Sequence, residues 1–328
     1  MTEIKARVIS QEKDLYRIVS DLGEKSAEVS GRFRYNAATV SDYPAVGDDV
    51  LVSWPEDGSS AVISALFPRR SCFMRKAAGN TRREQVVAAN VDYVFLCMAL
   101  NNDFNLRRLE RYLSIAWESG SVPVVVLTKS DLCTDLPEKV AEVSGVAFGV
   151  DVITVSSYLG EFQRVYDYVQ PGKTVAFIGS SGVGKSTLIN KLIGEDRIDT
   201  QGLRNDDKGR HTTTHRELIE LSNGAYVIDT PGMRELGMWD SEAGIETTFN
   251  DIEELILNCR FSNCTHTREP GCAVRAALEE GTLEQDRWDS YRKLKQENAF
   301  AADGSLYLAA KKEKFRNISI QNKKNRKR

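Results

Sequence analysis

Short apolar stretches without helical period occupy the first 68 residues of the 328-residue chain, at 6–10, 15–19, 46–53 and 61–66, each bounded by polar turn residues. Several short strands with polar turns predict a small β-barrel, an OB-fold over residues 1–68, with Pro44-Ala45-Val46-Gly47-Asp48 as the turn into a later strand. From about residue 90 the pattern changes. A continuous apolar run over 91–100 is followed by Leu106, Leu109, Leu113 and Ala116 at helical spacing, and then by a second apolar run over 122–127. Two buried strands flanking a helix predict a parallel sheet. Residues 150–155 and 174–178 add two strands, 184–193 reads as a helix stopped by Gly194, and Asn223-Gly224 predicts a hairpin between strands at 216–221 and 225–229. This α/β domain is expected to span 85–238. Phe249, Ile252, Leu255 and Ile256 then mark a helix, followed by helices over 273–280 and 283–298, the last opened by a Thr282-x-x-Gln285 capping box. Residues 239–328 are expected to form a third, helical domain.

The run Gly179-Ser180-Ser181-Gly182-Val183-Gly184-Lys185-Ser186 lies between an apolar strand and a helix, the context a phosphate loop needs. Its glycines let backbone N–H groups approach phosphate closely before the chain turns into a helix N-terminus; Lys185 then reaches the β- and γ-phosphates and Ser186 ligates Mg2+. Such a loop fits an ATPase or a kinase as well as a GTPase, so the base must be read elsewhere. Thr128-Lys129-Ser130-Asp131, at the end of the 122–127 strand, supplies the reader. The Asp131 carboxylate can accept from both N1–H and the N2 amine of guanine, donors adenine does not offer there, while the Lys129 stem covers the base. Ser156 and its neighbouring backbone, at the end of the next strand, are placed to meet the guanine oxygen. Thr128 stands where most GTPases carry Asn, which puts the bond from that side chain to the phosphate loop in question.

The order of these motifs is inverted. An ordinary P-loop GTPase places the guanine-reading signature after the phosphate loop; here it comes first. Joining the natural ends of a GTPase and reopening the chain elsewhere gives this order, so the expected central fold is a circularly permuted GTPase domain. Asp229-Thr230-Pro231-Gly232 is the second-switch signature, with Asp229 holding Mg2+ through water and the Gly232 N–H meeting the γ-phosphate. The segment Gly209-Arg210-His211-Thr212-Thr213-Thr214 lies in a polar loop and suits a first switch. Thr213 is the expected Mg2+ ligand there and His211 the candidate for positioning water, a solvated loop histidine being the plain alternative. Met233 occupies the place where many GTPases carry a water-orienting glutamine, so intrinsic hydrolysis should be slow.

Hydrophobic residues at 41% and charged residues at 28% are an ordinary globular balance, and no window approaches the roughly 18 apolar residues of a membrane helix. The N-terminus lacks a signal-peptide core, so a cytoplasmic location with no membrane partner is expected, and a monomer. The net charge of −3 conceals an asymmetry: nine Lys/Arg against one Glu over residues 311–328 leave +8 there, and −11 on the remainder. A basic tail on an acidic body points to a polyanionic partner, or to a solubilising extension. Arg32, Arg34, Arg69, Arg70, Arg75 and Lys76 are further candidates for phosphate contacts along or beside the barrel. Of six cysteines, Cys97 sits in an apolar run, whereas Cys259, Cys264 and Cys272 surround His266, one of three histidines. Three thiolates and an imidazole complete a closed tetrahedral site with no open position for a catalytic water, so one structural Zn2+ is expected.

The barrel, the permuted motifs, the hydrophobic residue after Asp229-Thr230-Pro231-Gly232 and the C-x4-C-x-H-x5-C cluster together resemble the small-ribosomal-subunit-dependent GTPases of the RsgA family, over essentially the whole chain. The resemblance implies late maturation of the small ribosomal subunit and its rRNA, with hydrolysis of GTP to GDP and phosphate stimulated by that subunit. It also implies guanine binding by Thr128 to Asp131, phosphate binding from Gly179 through Thr187, a switch histidine at His211, and zinc at Cys259, Cys264, His266 and Cys272. The principal alternative is a constitutive rRNA-binding protein that holds guanine nucleotide as a structural ligand. An ATP-dependent kinase or ATPase is the other, against which Asp131 argues.

Overall fold

The computed structural model describes residues 2–12, 14–76, 84–101, 103–156, 159–195, 217–229 and 241–302. The chain divides into two compact units, Met1–Gly237 and Met238–Arg328. In the first, five strands form the barrel: β1 (Thr2–Glu12), β2 (Leu15–Ser20), β3 (Gly23–Val29), β4 (Asp49–Trp54) and β5 (Ala61–Leu66). They neighbour one another in the order β1-β2-β3-β5-β4, and β4 returns to β1, so the barrel closes. Period-two alternation fills it: Tyr16 and Ile18 of β2 point inward with Val8, Val50, Val52 and Ile63, while Leu15 and Arg17 point out. A short helix, α1 (Gly31–Asn36), is capped by Ser30, whose hydroxyl accepts from Phe33 N.

A hairpin of β6 (Cys72–Lys76) and β7 (Glu84–Ala89) comes next, and then the α/β elements: β8 (Tyr93–Ala99), α2 (Leu106–Ser119), β9 (Val122–Thr128), α3 (Leu136–Ser144), β10 (Asp151–Val155), α4 (Gln163–Tyr166), β11 (Thr174–Ile178), α5 (Lys185–Ile193), β12 (Glu217–Glu220) and β13 (Tyr226–Asp229). The sheet runs β10-β9-β8-β11-β13-β12, parallel throughout except that β12 is antiparallel to β13. The chain leaves β8 toward β9 on one side and β11 toward β13 on the other. The crevice at the carboxyl ends of adjacent β8 and β11 is therefore the topological switch point, where doubly wound sheets bind ligands. Asn105 caps α2 by accepting from Arg108 N, and Gly120, at φ 80°, ends it.

The barrel and this sheet are continuous, because Ser10 of β1 pairs with Glu217 of β12. Arg7 reinforces the joint: its guanidinium donates to Thr174 Oγ1 (2.7 Å) and Gly47 O (3.3 Å) and lies over the Tyr226 ring at 4.8 Å. The turn into β4 is tighter than the apolar pattern suggests, so the strand begins at Asp49 rather than 46. Asp48 is fully buried, accepts from Ala45 N, and binds Arg69 through both carboxylate oxygens at 2.8–2.9 Å. Arg69 also donates to Ser41 O and Tyr43 O, so this guanidinium is committed inside the protein and is no phosphate ligand. Arg70 pairs with Asp92 and Arg75 bonds Gln85, while Arg32 and Arg34 stay exposed on α1.

The second unit contains α6 (Glu242–Thr248), α7 (Asn250–Leu257), α8 (Ala273–Glu280) and α9 (Gln285–Ala302). Its core comprises Ile245, Phe249, Ile252, Val274, Leu283, Trp288 and Leu294, and Arg287 ties α9 to α7 through both oxygens of Asp251 at 2.6 and 2.8 Å. The expected capping box is not formed. Thr282 donates its hydroxyl to Ala277 O, closing the end of α8, and α9 starts later, at Gln285. No helix among the described residues is long and apolar enough to cross a membrane.

Candidate nucleotide-binding site and metal centre

The phosphate loop runs from the end of β11 into α5, at the switch point. Gly182 and Gly184 have φ of 78° and 100°, conformations that favour glycine. Gly179 is required for closeness instead: a Cβ there would lie 2.5 Å from Cys97 O of β8. Cys97 itself is an enclosed thiol, pushed up to about 12 by burial. Lys185 is buried, its ammonium donating to Gly179 O at 2.7 Å and to Ser180 O. Ser186 and Thr187 follow in the first turn of α5, both half-buried, while Ser181 is exposed. Ser180 donates to Asp103 Oδ2 at 2.6 Å, and Asp103 is held by Arg108 at 2.8 Å. That link between the β8–α2 loop and the phosphate loop went unread in the sequence; its only local signal is the turn before the Asn105 cap.

The Thr128-Lys129-Ser130-Asp131 segment lies at the end of β9, two strands from β11. Thr128 Oγ1 donates to Val183 O at 2.6 Å, a bond across 55 positions that joins this segment to the phosphate loop. The threonine thus keeps the connection that its shorter side chain had put in question. Lys129 adopts φ 59° and the chain then makes a single 3-10 turn, Ser130–Leu132, leaving the Asp131 carboxylate exposed. Ser130 Oγ is buried and has no partner among the described residues. Ser156, fully buried, donates its hydroxyl to Asp131 Oδ1 at 2.6 Å and accepts from Leu159 N at 3.0 Å. Its hydroxyl proton is therefore committed to Asp131, which leaves the expected contact to the guanine oxygen to the neighbouring backbone. Asp229 ends β13, beside β11. Its side chain, together with Thr230, Gly232, Met233, His211, Thr213 and the basic tail, lies outside the described residues.

In the second unit Cys259, Cys264, His266 and Cys272 bring one ligand atom each to within 4.8 Å of one another. Cys259 follows α7, His266 sits at φ 56°, and Cys272 is the N-cap of α8. His266 Nδ1 is 3.6 Å from Cys259 Sγ and 3.5 Å from Cys272 Sγ, and the two sulfurs are 4.0 Å apart. Tetrahedral zinc with ordinary bond lengths requires edges of about 3.6 Å for N···S and about 3.8 Å for S···S, so the donor set fits that ion. Burial lowers the His266 pKa toward the neutral, ligating form, and the ring packs edge-on to Trp288 at 5.5 Å.

A phosphate loop at the switch point of a doubly wound sheet, bonded to a Thr128-Lys129-Ser130-Asp131 segment that precedes it in the chain, defines a circularly permuted P-loop GTPase, here carrying an N-terminal barrel and a C-terminal helical unit with a Cys3His cluster. A family model described as RsgA GTPase matches residues 66–239. The chain belongs to that family and is a GTP hydrolase. It is 50% identical over 308 residues, 93% of its length and 86% of the relative's, to the Small ribosomal subunit biogenesis GTPase RsgA 2 of Lactiplantibacillus plantarum. It is 49% identical over 310 residues, 91% and 84% of the two chains, to the Small ribosomal subunit biogenesis GTPase RsgA of Opitutus terrae. Among solved structures it is similar to YjeQ from Thermotoga maritima, with a TM-score of 0.67 and 25% identity over 89% of this chain and 97% of that one. It is also similar to YloQ, a circularly permuted GTPase, with a TM-score of 0.64 and 25% identity over 89% and 93%.

Proposed function

We propose that this GTPase acts on the small ribosomal subunit during late maturation, binding subunit and rRNA in its GTP form and hydrolysing GTP to GDP and phosphate under stimulation by the subunit. The observation that carries the site assignment is the Thr128–Val183 bond, which unites base reader and phosphate loop in one cradle. In that cradle Asp131, aimed by Ser156, reads guanine; backbone N–H groups from Gly179 to Thr187 and the Lys185 ammonium hold phosphate; Ser186, Thr213 and Asp229 hold Mg2+ directly or through water; and Gly232 meets the γ-phosphate. Met233 offers no hydrogen bond to water, so His211 or the subunit supplies that group. Cys259, Cys264, His266 and Cys272 hold a structural zinc that stabilises the helical unit. The working division is a barrel over 1–68, a GTPase domain over 85–238 and the zinc-bearing domain with basic tail over 239–328.

The subunit enters through the names of the relatives, which describe small-subunit biogenesis over nearly the full chain. GTP turnover with and without purified small subunits tests the proposal. Turnover rising at least about tenfold with subunits is the expected result, since one missing catalytic group alone is commonly worth two orders of magnitude or more. Unchanged turnover, with equal subunit affinity in the GDP and GTP-analogue states, would favour constitutive RNA binding instead.

A further inference from the structure

We infer that Thr128 is a positioning residue for the phosphate loop and that guanine is held here without a hydrogen bond from it to N7. The inference rests on the base-reading role proposed for Asp131. A threonine hydroxyl has one proton. Thr128 Oγ1 lies 2.6 Å from Val183 O and 3.5 Å from Met98 O, and carbonyl oxygens can only accept, so the proton belongs to the Val183 bond. Thr128 is 4% exposed and Val183 1%. Turning the proton toward a base would strip a carbonyl of its donor in a buried seam, where an unmade bond costs more than a made one contributes.

The location of N7 follows from the two ends of the nucleotide. With the N1–N2 edge on Asp131 and the triphosphate on the loop 179–186, the imidazole half of the base lies between them, at the Thr128 end of the tetrapeptide. N7 is an acceptor there. An amide side chain has two N–H donors and can serve a loop carbonyl and N7 together, whereas a hydroxyl must choose. In this chain it has chosen the loop.

The test compares GDP with 7-deaza-GDP, in which N7 is replaced by C–H, by competition against a fluorescent GDP in the presence of Mg2+. The two should bind within about twofold of each other, since one neutral hydrogen bond is ordinarily worth roughly two- to tenfold. A larger loss for 7-deaza-GDP would overturn the inference. Thr128→Val should weaken both nucleotides by the same factor, because it releases the loop, and Thr128→Ser should recover what Val loses. A Val variant that weakens GDP but spares 7-deaza-GDP would show the hydroxyl on N7 and would equally overturn it. Xanthosine diphosphate separates the two claims: if Asp131→Asn brings no gain for it, the base-reading role fails, whatever the 7-deaza comparison gives.

Discussion

At the scale of single residues, Asp131 combines an exposed carboxylate with a fixed aim, because the buried Ser156 hydroxyl holds Oδ1 at 2.6 Å. A carboxylate so oriented presents acceptors to two adjacent guanine donors without first losing much side-chain freedom. Asp131→Asn should therefore lower GTP affinity about ten- to hundredfold, the ordinary worth of hydrogen bonds to a charged group, and should raise affinity for xanthosine triphosphate, whose C2 oxygen accepts where the guanine amine donates. Nucleotide competition measures both, and undiminished GTP binding with no gain for the xanthine nucleotide would contradict the assignment. That these residues gather at one place was legible in the sequence, because the proposed chemistry asks for particular groups at particular strand ends. Their couplings were less so. The bond from Thr128 to the phosphate loop was raised by its place in the motif and left in question, while nothing in Ser156 or Asp103 announces a partner 25 or 77 positions away, because hydrogen bonds between loops depend on how the sheet brings its carboxyl ends together.

At the scale of elements, the apolar runs at 91–100 and 122–127 marked β8 and β9, since strands buried on both faces leave an unbroken hydrophobic signature. The β6–β7 hairpin was missed: β7 runs almost directly into the apolar stretch of β8, and β6 mixes Arg75 and Lys76 with apolar residues, so neither strand stands out. The turn before β4 was visible but its tightness was not. Gly47, at φ 93°, packs so closely on β7 that a Cβ would fall 2.1 Å from Ala89 O. Gly47→Ala should destabilise the first unit by at least about 2 kcal/mol through combined left-handed strain and clash with backbone, read as a lower denaturant midpoint. A midpoint within error of the parent would show that the turn relaxes freely. In the second unit the described helices α6 to α9 are proposed to depend on a zinc knot between α7 and α8. Purified protein prepared without chelator should contain about one zinc per chain, and Cys264→Ala should lose the metal together with thermal protection of α7 to α9. Elemental analysis finding none in the parent protein would defeat the zinc assignment.

At the scale of the whole molecule, the permutation places the proposed second switch, Asp229 to Gly232, immediately before the unit that carries the Cys3His cluster, so on the proposed function a change at the γ-phosphate would reach that unit through a few residues of covalent chain. At the other end of the same domain, β12, the strand after the proposed first switch, is paired to β1 of the barrel. On that proposal both switches adjoin, along the chain, structure that an ordinary GTPase lacks, which would give the state of the nucleotide a direct path into two candidate ribosome-facing parts. On the proposed function the basic residues over 311–328 would add a third contact of a different kind, because nine cations against one acid attract phosphate regardless of nucleotide state. The two contributions are separable by experiment. The GTP-analogue form should bind small subunits more tightly than the GDP form. Deleting residues 311–328 should weaken both forms by a similar factor and flatten the fall of affinity with salt, while leaving nucleotide affinity unchanged. If deletion instead abolished the difference between the two forms, the tail would be part of the switch rather than an anchor, and the path through the second switch would have to be abandoned.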